Sequence, residues 1–77
     1  MSEVKVENRG KIVGLMRILE KVWESISYET DIINEVRWLL MELGITIEAD
    51  KAQRIIEKFD SALNDLWDII EEIKRKV

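Results

Sequence analysis

From Ile12 onward the apolar residues recur at steps of three and four: Ile12, Leu15, Met16, Leu19, Val22, Trp23 and Ile26. That spacing gathers all seven on one side of an α-helix and predicts a first helix over about residues 9–27. Residues 27 to 31 read Ser-Tyr-Glu-Thr-Asp. Ser27 and Thr30 are N-cap residue types, and acids follow where a new helix would present its positive end, so a tight turn is expected there. A second helix over about 29–43 carries Ile32, Ile33, Val36, Leu39, Leu40 and Leu43 on one stripe. Gly44 follows, at the place of a left-handed C-terminal cap.

Ile45-Thr46-Ile47 is β-branched and reads as a connector pressed on the core. The third helix has two possible starts. Either Thr46 caps it with Glu48 and Asp50 in the first turn, or Asp50 caps it with Gln53 completing a capping box. Beyond that, Ala52, Ile56, Phe59, Leu63, Leu66, Ile70, Ile73 and Val77 alternate steps of four and three without a break, which is a heptad seam. Ile55, Ala62 and Ile69 repeat every seven residues beside it and widen the stripe to a face that can meet two neighbours. Lys74-Arg75-Lys76 suit the negative end of the helix, and Glu71 with Arg75 and Glu72 with Lys76 are spaced for ion pairs. The third helix is therefore placed over about 48–76. Three amphipathic helices with short connections predict an all-α fold, an antiparallel three-helix bundle in one domain, preceded by a short extended lead-in over residues 1–8.

Composition narrows the chemistry more than it changes the fold. The 77 residues include no His, Cys or Pro, which removes the commonest general base, the usual imidazole and thiolate metal ligands, and every disulfide. No apolar run approaches the roughly 18 residues of a membrane span, and Met1-Ser2-Glu3-Val4-Lys5-Val6 has no signal-peptide core. The expected setting is cytoplasmic. Twelve Ile against three Asn and one Gln, with many Glu, Lys and Arg, resemble the composition of heat-adapted proteins and of idealised designs, so a thermostable chain is expected.

The net charge of −4 is unevenly spread. Residues 1–21 hold five basic and three acidic groups, residues 22–77 seven and thirteen. Most of the surface therefore repels phosphate backbones, which disfavours nucleic acid as a partner.

Few residues invite a chemical role. The acids of the third helix, Glu57, Asp60, Asp65, Asp68, Glu71 and Glu72 with Asn64, lie on an open face. Such a face offers a hard cation two or three oxygens where six or more are wanted. No catalytic residue, metal or cofactor is expected, and no small-molecule substrate. Asp60-Ser61-Ala62-Leu63 resembles the modified Asp-Ser-Leu motif of acyl carrier proteins, but it departs at the third position. That family's Ser opens a helix, whereas Ser61 falls inside an unbroken heptad pattern, so no carrier role is assigned. A small DNA-associated regulator is the main alternative function, with Arg9 and Lys11 from the basic stretch and Lys51 and Arg54 from the start of the third helix as contacts.

Trp38 stands out because it points nearly opposite to the apolar stripe of the second helix. With Asn34, Arg37 and Met41 beside it, it forms the kind of cluster found at protein–protein hot spots. These four residues are the expected protein interface, with Trp38 near the axis if the contact is a two-fold dimer. Gly10, Gly14 and Ile18 share a second face of the first helix, where small residues would let another helix approach closely. The function expected from the residues is thus a non-enzymatic protein–protein interaction or self-association module. A second alternative is a designed or drifted stable bundle without a partner.

Overall fold

A computed structural model describes residues 8–76 and shows two helices where three are expected. Helix α1 spans Arg9–Glu42 and helix α2 spans Thr46–Lys76. They lie side by side as a long antiparallel hairpin, and the three-helix bundle expected from the turn signals is incorrect. The expected lead-in over residues 1–8 falls outside the described residues except for Asn8, which precedes α1 without a side-chain cap.

The reason for two helices lies in the seam. Ile12, Met16, Leu19, Trp23, Ile26, Thr30, Ile33, Arg37 and Leu40 alternate steps of four and three through the whole of α1, so residues 27–31 leave the heptad unbroken. Thr30 occupies a seam position, and its hydroxyl donates to the Ile26 carbonyl at 2.8 Å, one turn back. The hydroxyl is thereby satisfied within the helix and is not used to cap a new one. Cap-forming residue types are only permissive, and with no Gly or Pro between Leu15 and Leu43 nothing forces the chain to turn.

The one turn occupies three residues. Gly44 adopts a left-handed φ of 75°. Its N–H donates to the Met41 carbonyl at 3.0 Å, and the Ile45 N–H donates to the Leu40 carbonyl at 2.9 Å. This is the Schellman arrangement that satisfies the last carbonyls of a helix. The Ile45 carbonyl in turn accepts from the Ala49 N–H at 3.1 Å and so opens α2. Neither Thr46 nor Asp50 is the cap: Thr46 is already the first helical residue.

With so short a turn, the seam positions of the two helices come level in pairs, each residue of α2 standing one position farther from Gly44 than its partner on α1. Leu40 is level with Ala49, Ile33 with Ile56, Ile26 with Leu63 and Leu19 with Ile70. The Trp23 and Trp67 rings, 6.1 Å apart and inclined at 56°, agree with this register to within one residue near mid-length. At the far end of α2, ion pairs form at three-residue spacing, Arg75 to Glu72 at 2.6 Å and Lys74 to Glu71 at 3.7 Å. Arg75 thus serves Glu72 and not the expected Glu71.

Two helices have one seam between them, and one seam buries little. Among the described residues only Ala49, Ala52, Ile56 and Ile70 are buried, all on α2, and no residue of α1 is. The Cα trace measures 57 × 17 × 10 Å with a radius of gyration of 17.5 Å, against about 11.5 Å for a compact chain of this length. Its accessible surface is 6123 Å², where a compact monomer of the same mass exposes about 4,900 Å².

Continuity of α1 has a direct test. Glu29→Pro is expected to cost about 3 kcal/mol or more, because proline inside a helix removes a hydrogen bond and clashes with the preceding turn. A turn at residues 27–31 would accept it with little loss in denaturant unfolding. Gly44→Ala is expected to cost about 1 kcal/mol in the same measurement, because a Cβ is disfavoured at that left-handed φ although the space around it is open.

Candidate functional site

The heptad assigns each residue to a side of the hairpin. Beside the seam of α1 run Leu15, Val22, Glu29, Val36 and Leu43 at one flanking position. Ile18, Ser25, Ile32 and Leu39 stand at the position next to them. Their counterpart on α2 is the repeat Ile55, Ala62 and Ile69. In an antiparallel pair these flanks fall on the same broad side, so the hairpin presents one mainly apolar side along its length. All these apolar residues except Ala62 are exposed, Ile18 by 61%.

The opposite side is mixed. Near mid-length Trp23, Trp67 and Ile70 floor a groove of about 230 Å³, with Glu20, Glu24 and Lys74 at its rim. The Lys74 ammonium lies 5.7 Å from the centre of the Trp67 ring. A second groove of about 190 Å³ sits by the turn, lined by Arg37, Met41, Thr46, Ala49, Asp50 and Gln53. Both are smaller than the roughly 300 Å³ at which small-molecule sites begin. Another depression, about 500 Å³, follows the surface of α2 past Arg54, Lys58, Ser61 and Asp65. It is walled by one helix alone, so it cannot enclose a ligand. Among the described residues no group of three or more acidic side chains is placed to hold a metal ion, since the acids of α2 project into solvent.

The residues expected at a protein interface do come together. Trp38 is 54% exposed, Met41 and Asn34 are exposed beside it, and the Arg37 guanidinium lies 5.2 Å from the centre of the Trp38 ring. Arg37 is not on the outer face, however. It occupies a half-buried seam position beside Ala49 and Gln53, and its charged head reaches out over Trp38. This cluster covers little more than two turns of one helix, on the side away from the long apolar stripe.

Gly10 and Gly14 have no neighbouring atoms of the described residues within 4 Å of where a Cβ would stand, so neither α1 nor α2 packs on them. Ile18 belongs instead to the apolar side. The four basic residues considered for nucleic acid are separated. Arg9 and Lys11 are at the open end of the hairpin, Lys51 and Arg54 near the turn, about 40 Å away at 1.5 Å per residue. The helices pack lengthwise and do not cross as in a helix-turn-helix.

The broad apolar side is the feature that sequence reading missed as a unit. Its apolar residues stand in the expected stripes, except Ile18, which the spacing sets with Gly10 and Gly14. The three-helix reading spent them on a third neighbour inside the chain, a neighbour that a two-helix hairpin lacks. The signal was present as a second run of alternating threes and fours in α1, Leu15, Ile18, Val22, Ser25, Glu29, Ile32, Val36 and Leu39. No helix of the described residues is long and apolar enough to cross a membrane. The chain matches no protein-family model, no curated protein and no solved structure at a significant level.

Trp23 and Trp67 meet at a tilted angle typical of favourable aromatic pairs. A double-mutant cycle, with each replaced by Leu alone and together, is expected to give a coupling of about 1 kcal/mol in unfolding free energy. Strict additivity would mean that the two rings contribute only as separate apolar surfaces.

Proposed function

We propose that this chain is a non-enzymatic helix–helix association module, whose exposed apolar faces are covered by other helices. One observation carries the reading. Sixteen large apolar or aromatic side chains of the described residues are more than a third exposed, while α1 buries nothing. Scattered apolar residues are ordinary on a protein surface, but an apolar stripe along a 34-residue helix, broken only by Ser25 and Glu29, is not, and such patches mark interaction sites. The absence of His and Cys and the small size of the grooves support the same reading, because they leave binding through surface shape and apolarity as the chemistry within reach.

Two faces are available, the long apolar side and the smaller Trp38 cluster. The long side offers more apolar area, with its charged residues confined mainly to the α2 edge, so it is the stronger anchor. The Trp38 cluster, an aromatic ring with a guanidinium and a thioether at its edge, suits a further contact.

Sedimentation velocity across a wide concentration range tests this. The wild type is expected to sediment above the 9.1 kDa of one chain. Ile18→Glu is expected to abolish the association, and Trp38→Glu to leave the mass of the assembly unchanged. A chain that stays monomeric at high concentration, unfolds cooperatively and is indifferent to both substitutions would overturn the proposal.

A further inference from the structure

The apolar side carries a symmetry that identifies its occupant. On α1 the second stripe reads Leu15, Ile18, Val22, Ser25, Glu29, Ile32, Val36, Leu39. Three apolar residues, two polar ones and three apolar ones follow at steps that are the same from either end. Laid antiparallel on a copy of itself about a centre at residue 27, Leu15 meets Leu39, Ile18 meets Val36 and Val22 meets Ile32. The polar pair then meets itself, and the Ser25 hydroxyl can donate to the Glu29 carboxylate of the other copy.

Helix α2 repeats the symmetry about its own centre. Ile55 and Ile69 are equidistant from Ala62. The position beyond them holds Lys51 and Lys58 on one side of that centre and Asp65 and Glu72 on the other. A two-fold through this level places Lys51 opposite Glu72 and Lys58 opposite Asp65, twice each.

The two centres coincide. With Ile26 level with Leu63, the register set by the turn puts Ser27 level with Ala62. One two-fold axis perpendicular to the hairpin therefore satisfies both helices, one by apolar matching and the other by opposite charge. Nothing in the seam between α1 and α2 requires that coincidence.

We infer that the broad apolar side is covered by a second copy of this chain, paired antiparallel about an axis through the level of Ser27 and Ala62. The product is a four-helix bundle with its turns at opposite ends. The inference rests on the association reading and names its partner; it places the Trp38 cluster on the outside of the bundle, away from the axis.

Area and charge both favour this pairing. A compact body of twice the mass exposes about 8,100 Å², so two hairpins of 6123 Å² each can bury at most about 4,000 Å² between them, within the range of obligate homodimers. The other two-fold arrangement, with both turns at one end, sets α1 on the partner's α2. Leu15, Val22 and Val36 would then face Glu72, Asp65 and Lys51, at a cost in desolvated charge.

Two experiments test it together. The chain has no cysteine, so Ala62→Cys introduces a single thiol on the proposed axis and Arg54→Cys a control on the outer surface of α2. Mild oxidation is expected to convert Ala62→Cys to a disulfide-linked dimer with unchanged helicity, and Arg54→Cys far more slowly. In parallel, Lys58→Glu and Asp65→Lys are each expected to weaken the homodimer about tenfold, since two attractive pairs become two repulsive ones. An equimolar mixture of the two variants is expected to recover wild-type affinity, because only the mixed dimer restores both pairs.

A dimer in which both thiols link equally, or in which mixing brings no recovery, would overturn this axis and leave the association reading standing. A monomer without cooperative unfolding would overturn the second copy as occupant and leave the need for a different helical partner. A cooperatively folded monomer at high concentration would overturn both.

Discussion

The structure depends on one uninterrupted heptad seam between two long helices. The seam runs through nine positions of α1 and closes on the matching positions of α2, and every other feature follows from its being alone. A helix packed along a single stripe hides a narrow strip of its circumference, roughly the two positions per heptad of a coiled coil. Yet both helices here are apolar over a wider arc than that. Among the described residues the buried ones are Ala49, Ala52, Ile56 and Ile70, all on the helix whose neighbour is the longer one. The surplus is left on the flanks, where it becomes the candidate site.

The seam also decides where charge and small residues can stand. Arg37 occupies a seam position without being trapped in a core, because the open edge lets the guanidinium reach the Trp38 ring. Thr30 occupies another and satisfies its hydroxyl on the preceding turn. In a three-layered bundle either residue would face a second neighbour and need a partner there. In a hairpin each has an open side. The same openness limits the grooves beside Trp23 and Met41 to small, shallow volumes.

Much of this was legible in the residues. The heptad of α2, its end near residue 76, the left-handed Gly44 and the clustering of Asn34, Trp38 and Met41 all follow from spacing and residue type. The break at residues 27–31 did not, because Ser27, Thr30 and Asp31 are as compatible with the exposed or back-bonded positions of a continuous helix as with a new N-terminus. Distinguishing the two requires knowing whether Thr30 faces a partner across the seam, and α2 answers that only once it is in place. The same error hid the apolar side, since an imagined third helix absorbed Leu15 and Val22, while spacing set Ile18 apart with Gly10 and Gly14.

The sequence by itself determined the helical class, the periodicity of both seams, the one obligatory turn and the absence of imidazole and thiol chemistry. These are properties of residue type and spacing along one helix, and they hold whatever the helix packs against. Only the tertiary structure decided how many helices those periods make and at what level each residue of α1 meets α2. Register is a relation between two segments. It is set by the length of the Leu43-Gly44-Ile45 turn and the fit of the seam, including the Trp23–Trp67 contact, and no stripe read along a single helix contains it. That relation brings Ser27 level with Ala62, and with it two separate patterns become one face.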